Sequence, residues 1–402
     1  MRIHRLVGTL LATGIITALL APAPASASTS RWTAAWTTPV QRPMGETWQG
    51  KNWSLDGFAD ESIRQVVRIS AGGSHLRIRL SNRYGSTPLR LTGATVAKAG
   101  SGASAVAGTT RDLTFRRVRS IAVPAGQDAV SDAIPLRTSA LERLTITLYF
   151  ATATGPATFH ESAAATTYKA TGDHRYDSGV TAFTGESHSS YYVTGVDTSG
   201  SSARSTVVAF GDSITDGVSS THDADNRYPD QLAERLAGSR LSVVNAGLSG
   251  NRVLEDSDCC GDSALSRFRR DVLDQPSVRT VIVSQGLNDL GFNPEVTADQ
   301  LIAAHRRLIK AAHSSDVRIV GGTITPMKGS MLDSPHGELV RRQVNQWIRT
   351  SGEYDAVVDF DAVLADPADP AALRSAYNAG DALHPNDAGL EAMAAAIDLA
   401  SL

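Results

Sequence analysis

The 402-residue sequence predicts an all-β sandwich or jelly roll followed by an α/β part built on a doubly wound parallel sheet. Three observations predict it. From Ile63 to about Val196, apolar residues recur with period two in short runs such as "HLRIRLSN", "LTITLYFA" and "SYYVTGV". After Ser205, apolar runs alternate five times with longer amphipathic stretches. Between them, "DTSGSSARS" (197–205) is a polar break rich in glycine and serine.

The first element is "MRIHRLVGTLLATGIITALLAPAPASASTS". Arg2 and Arg5 precede an apolar run from Leu6 to Leu20, and small residues ending in Ala25-Ser26-Ala27 follow, the pattern of a secretory signal peptide cleaved after Ala27. The run is shorter than the roughly 20 residues a spanning helix needs, so no stable membrane anchoring is expected after cleavage and the protein is expected to be extracellular. Residues 28–200 are expected to form the β-rich part and 201–402 the α/β part. Without Arg2 and Arg5 the formal charge falls from −3 to −5, with the basic residues dispersed, which excludes an electrostatic nucleic-acid partner. Cys259 and Cys260 are adjacent in "EDSDCCGDS"; they either close a strained ring or remain two thiols, and without a matching Cys/His cluster they predict no metal site.

In the β-rich part, clusters such as "AGGS" and "RYGSTP" separate the alternating runs, the spacing of antiparallel hairpins. Gly-rich "KAGSGASAVAG" is a loop with no following helix to cradle a phosphate. Trp32, Trp36, Trp48 and Trp53 are expected to pack in the core or between domains, with a sugar-stacking platform as the alternative.

The α/β part takes its strands from "TVVAF", "LSVVNAG", "TVIVSQG", "VRIVGG" and "DAVVDF", and its helices from "YPDQLAERLAG", "SALSRFRRDVL", "TADQLIAAHRRLIKAAH" and "GELVRRQVNQWIRT". Such alternation builds a parallel sheet with helices on both faces, whose ligands bind beyond the carboxyl ends of the strands. His305 and His313 are expected to be solvated on a surface helix, and His222 to sit in an exposed loop. Asp212 and Asp289 are expected to hold turns.

Four segments after strands carry the chemistry: "GDSITDG" (211–217), "NAGLSGN" (245–251), "QGLND" (285–289) and "GDALHPNDAG" (380–389). Each alone is ordinary turn material. Together they supply a hydroxyl nucleophile, a histidine with an acid three residues before it, and donors for an oxyanion. No Gly-x-Ser-x-Gly elbow occurs, which excludes the α/β-hydrolase arrangement.

In "GDSITDG", "LSGN", "GLND" and "DALH", in that order over roughly residues 205 to 400, the sequence resembles the SGNH (GDSL) hydrolases. The resemblance implies a flavodoxin-like sheet and a secreted esterase working through an acyl-enzyme on Ser213. His384 would be the general base and Asp381 its orienting carboxylate. The backbone N–H groups of Ser213 and Gly250 and the amide of Asn288 would form the oxyanion hole. No metal or other cofactor is implied. The two-part plan is similar to the branch with xylan-associated esterases and arylesterases, implying small acyl or aryl esters, acetylated polysaccharide among them. A lipase or phospholipase, an acyltransferase with the same triad, and a non-catalytic carbohydrate-binding protein are the alternatives.

Overall fold

The computed structural model describes residues 31–47 and 50–402; the expected leader and Trp48 lie outside the described residues. Two large antiparallel sheets make up most of the β-rich part, beside two two-stranded ones, Phe159–His160 with Ser190–Tyr191 and Leu89–Leu91 with Ile121–Val123. One large sheet orders the strands Trp32–Thr37, Val193–Ser199, Gly73–Ser81 and Asp128–Val130, with Ile134–Thr138 also paired to Gly73–Ser81. The other runs Gly185–Ser187, Thr167–Thr171, Glu61–Arg68, Arg143–Phe150, Gly93–Lys98 and Arg111–Asp112. The period-two pattern is the cause. Leu76, Ile78 and Leu80 face inward and meet Ile63, Ile146 and Leu148 of the other sheet, all fully buried. Burying each such side chain stabilises the fold by about 1.5–3 kcal/mol. The intervening Arg77 and Arg79 point the other way and ion-pair with buried Asp197 at 2.8 and 3.3 Å.

The described tryptophans on this side pack. Trp53 stacks on Tyr191 at 5.6 Å, Trp36 lies against the β core, and the Arg77 guanidinium sits 4.6 Å over Trp32.

The second part holds five parallel strands in the spatial order Leu241–Gly247, Ser205–Gly211, Val278–Ser284, Arg318–Gly322, Ala356–Val358. The first strand in sequence, Ser205–Gly211, therefore lies between the second and third. The strand order reverses at that point, which opens a crevice at the carboxyl ends of these strands.

The helix Ala298–His313 begins at a capping box formed by Thr297 and Gln300. It buries Leu301, Leu308, Ile309 and, contrary to expectation, His305. The helical period explains the correction: 305 lies one turn beyond Leu301 and one turn before Ile309, on the stripe that packs inward. There His305 Nδ1 lies 2.6 Å from the Tyr354 hydroxyl, and burial pushes its pKa down to about 4. His313 is half-exposed, as expected, and lies 3.1 Å from Asp355.

Residues Arg31–Leu402 form one compact unit with two principal cores. The strand Trp32–Thr37 serves both, since Ala34 is buried in the α/β core and Ala35 in the β core. Polar ties reinforce the junction: Thr37 Oγ1 donates to Asn245 O at 2.7 Å, and Val243 N donates to Ser70 Oγ at 3.1 Å.

Candidate active site

The strand Ser205–Gly211 ends at the crevice and turns at once into a four-residue helix, Ser213–Asp216. Asp212 caps that helix, its Oδ1 accepting from Ile214 N at 3.1 Å. The turn is tight enough that a Cβ on Gly211 would meet Thr215 Oγ1 at 1.9 Å. Asp212 is buried, which raises its pKa to about 6 despite the Ile214 N–H and nearby His384. Its carboxylate makes the cap, while the imidazole beside Ser213 comes from elsewhere in the chain.

His384 comes from the loop before the helix Asp387–Ala396 and places Nε2 2.9 Å from Ser213 Oγ. On its far side Nδ1 lies 2.6 Å from Asp381 Oδ2. The loop folds back through Ala382 at φ +60°, so Asp381 Oδ1 also accepts from the backbone N–H groups of Leu383 (2.9 Å) and His384 (2.8 Å). Partial burial pushes the Asp381 carboxyl up, but these hydrogen bonds outweigh it and hold the group well below the usual carboxylate range. An ionised Asp381 only accepts, so Nδ1 carries the imidazole proton and Nε2 is left to accept from the serine hydroxyl.

Gly250 and Asn288 reach the same cleft, which has a volume of about 890 Å³ and is also lined by Phe292, Met331 and the Cys259–Cys260 pair. Asn288 Nδ2 donates one N–H to Asn251 O at 3.0 Å, which fixes the amide plane and leaves its second N–H for the cleft. Gly250 sits at φ +70°, where a side chain is strained, and a Cβ there would lie 2.5 Å from Cys260 Sγ. The two cysteines are joined as a disulfide.

Other residues singled out in the sequence support the loops. Asp289 accepts from Val253 N and Leu254 N at 2.8 and 3.0 Å, and burial raises its pKa to about 6. His222 is exposed on the cleft and stacks on His188 at 4.0 Å.

Arg267 has no motif to announce it. It is fully buried and donates to Gly211 O (2.7 Å), Ala246 O (2.8 Å) and Asn251 Oδ1 (2.9 Å), tying together the ends of two strands and the loop after the second. The signal available in sequence was an arginine at an inward position of "SALSRFRRDVL". In the structure that helix runs as α over Ala264–Phe268 and widens to a π turn over Arg269–Leu273.

Among the described residues no group of three or more His, Cys, Asp or Glu side chains could hold a metal ion, and no helix is long and apolar enough to cross a membrane.

Residues 209–392 match the model of the GDSL-like lipase/acylhydrolase family. Among solved structures, the chain is similar to a protein placed in the lipolytic G-D-S-L family from Desulfitobacterium hafniense (23% identity, 49% of this chain, 98% of that one, TM-score 0.39). It is also similar to the aryl esterase of M. smegmatis (16%, 48% and 95%, 0.40) and to a carbohydrate acetylesterase from Sinorhizobium meliloti (13%, 47% and 94%, 0.40). No curated protein matches it.

Proposed function

We propose, from the premise that residues 209–392 form a GDSL-like lipase/acylhydrolase domain, that the protein is a secreted serine esterase cleaving small acyl or aryl esters. The observation that carries this reading is the continuous hydrogen-bonded chain from Asp381 through His384 to Ser213. Secretion rests on the reading of residues 1–27. The strand order 2-1-3-4-5 is the flavodoxin-like one, which supports a site at the first strand.

In the proposed reaction, Ser213 Oγ attacks the ester carbonyl carbon while its proton passes to His384 Nε2. The carbonyl π electrons move to oxygen, giving a tetrahedral oxyanion that the N–H groups of Ser213, Gly250 and Asn288 stabilise. Collapse breaks the bond to the alcohol oxygen, which leaves with the proton from Nε2, and Ser213 is acylated. Water then repeats the steps: its proton goes to Nε2, its oxygen joins the acyl carbon, and Ser213 Oγ takes the proton back as the acid leaves. Asp381 stays ionised throughout and stabilises the imidazolium formed in each half. Each oxyanion donor is expected to be worth about 10²- to 10³-fold in rate.

Phe292 and Met331 are 50% and 65% exposed and line the cleft, which favours an acyl or aryl group with apolar surface. The test is an ester panel, from p-nitrophenyl acetate to long-chain esters and acetylated xylan, run on the wild type and Ser213→Ala. Turnover of short acyl or aryl esters that collapses in Ser213→Ala is expected. Full activity in the variant would refute the reading, and preference for long chains would move it to a lipase.

A further inference from the structure

The loop of the proposed oxyanion glycine is held at two points, and each hold ends in the β-rich part of the chain. Asp216, the last residue of the helix that Ser213 begins, is 1% exposed. Its Oδ2 accepts from both the backbone N–H of Ser249 (3.0 Å) and the Ser249 hydroxyl (2.7 Å). Ser249 directly precedes Gly250. One carboxylate thereby ties the peptide carrying one proposed oxyanion donor to the helix carrying another.

The second oxygen of Asp216 faces His160, which belongs to the short strand Phe159–His160 of the β-rich part and is 2% exposed. His160 Nε2 lies 3.0 Å from Asp216 Oδ1 and 3.2 Å from Ser162 O. Both of these are acceptors, so Nε2 carries the proton and donates. Beside the same loop, Cys260 Sγ lies 2.5 Å from where a Cβ on Gly250 would sit, and buried Gln41 donates through Nε2 to Cys259 O at 2.8 Å.

We infer that His160 is a positioning residue of the reaction. By donating to Asp216 it holds the carboxylate on Ser249, and so aims the Gly250 N–H at the point the Ser213 N–H also addresses. The inference rests on the esterase reading above. It gives the β-rich part a place in the chemistry, because without it a buried carboxylate under the oxyanion loop has no donor on one oxygen. A buried charge short of a hydrogen bond moves to find one, and the group free to move with it is Ser249. A displacement of about 1 Å in such a site can lower the rate by about a hundredfold.

The test compares wild type, His160→Gln, His160→Phe, Ser249→Ala and Ser213→Ala on p-nitrophenyl acetate, and measures inhibition by an aliphatic trifluoromethyl ketone, which adds the serine to give an oxyanion. His160→Phe, which fills the space without a donor, is expected to lower kcat by about tenfold to a hundredfold with KM within about twofold, because an oxyanion donor acts in the transition state. The ketone should weaken by the same factor. His160→Gln, which keeps an N–H near the place of Nε2, should restore kcat to within about threefold of wild type. A wild-type kcat in His160→Phe, or an equal loss in both histidine variants, would overturn the inference. If His160→Phe does not fold, Ser249→Ala decides: it should lower kcat and ketone affinity in parallel, and no change in either overturns the inference. Activity surviving in Ser213→Ala would instead refute the esterase reading itself.

Discussion

Asp212 and Asp381 both lie near the Ser213 hydroxyl, and replacing each by asparagine should separate them sharply. Asp381 offers one oxygen to two backbone N–H groups and the other to His384 Nδ1 at 2.6 Å. In Asp381→Asn the amide oxygen stays on the two backbone donors, leaving the NH2 facing Nδ1. A donor there requires an unprotonated Nδ1, which moves the imidazole proton to Nε2, the atom that must accept from Ser213. An error of tautomer of this kind lowers kcat by about 10⁴-fold, equivalent to about 5.5 kcal/mol of transition-state stabilisation. Asp212 instead accepts one backbone N–H, from Ile214 at 3.1 Å, and an amide oxygen can do the same. Asp212→Asn should therefore keep kcat within about tenfold of wild type, the loss being no more than a weakened cap. The assay is steady-state hydrolysis of p-nitrophenyl acetate by the two variants, with thermal unfolding as the check on folding. Equal losses in the two variants, or the larger loss in Asp212→Asn, would refute the reasoning.

Asn288→Ala should lower kcat by about 10²- to 10³-fold with little change in KM, read in the same assay. Gly250→Ala should lose both activity and stability, because its φ of +70° and the 2.5 Å approach to Cys260 Sγ leave no room for a methyl group; a variant as stable and active as wild type would contradict this. Burial raises the Asp212 carboxyl from 3.8 to about 6, so its contribution to stability is fully present below pH 3.8 and lost as pH rises through 6. Asp212→Asn should then gain on wild type between pH 4 and pH 7 by at most about 3 kcal/mol in denaturant unfolding, and a difference that does not vary with pH would be inconsistent with this. Intact mass under non-reducing conditions should lie two hydrogens below that of the reduced chain, with no thiol open to alkylation until a reductant is added.

The parts of the fold that were legible in the sequence are those fixed by local pattern. Four of the five apolar runs became strands buried on both faces, which must be continuously apolar; the fifth, Ala356–Val358, lies at the sheet edge with Val357 exposed. The four turn motifs were legible as a group because a switch-point crevice needs short, polar, glycine-bearing connections at strand ends, which is where they occur. His305 was misread because its helix was taken as a surface one, whereas its helical register placed it among Leu301, Leu308 and Ile309; the register governed. His160 carried no local signal, and Arg267 only its inward position in a helical stretch. Their partners lie at the ends of other strands or in the other part of the chain, and pairing at such sequence distance is decided by tertiary packing alone. The same holds for Gln41, whose bond to the Cys259 carbonyl spans most of the β-rich part.

The central claim is that Ser213 Oγ, activated by His384, is the nucleophile. An alkyl p-nitrophenyl phosphonate tests it directly, since attack on phosphorus releases p-nitrophenol and leaves the phosphonyl group on the attacking atom. Peptide mass mapping should find one phosphonyl group per chain, on Ser213, absent in Ser213→Ala and formed at least about 10³-fold more slowly in His384→Ala. Labelling at another residue, or undiminished labelling of Ser213 without His384, would contradict the account.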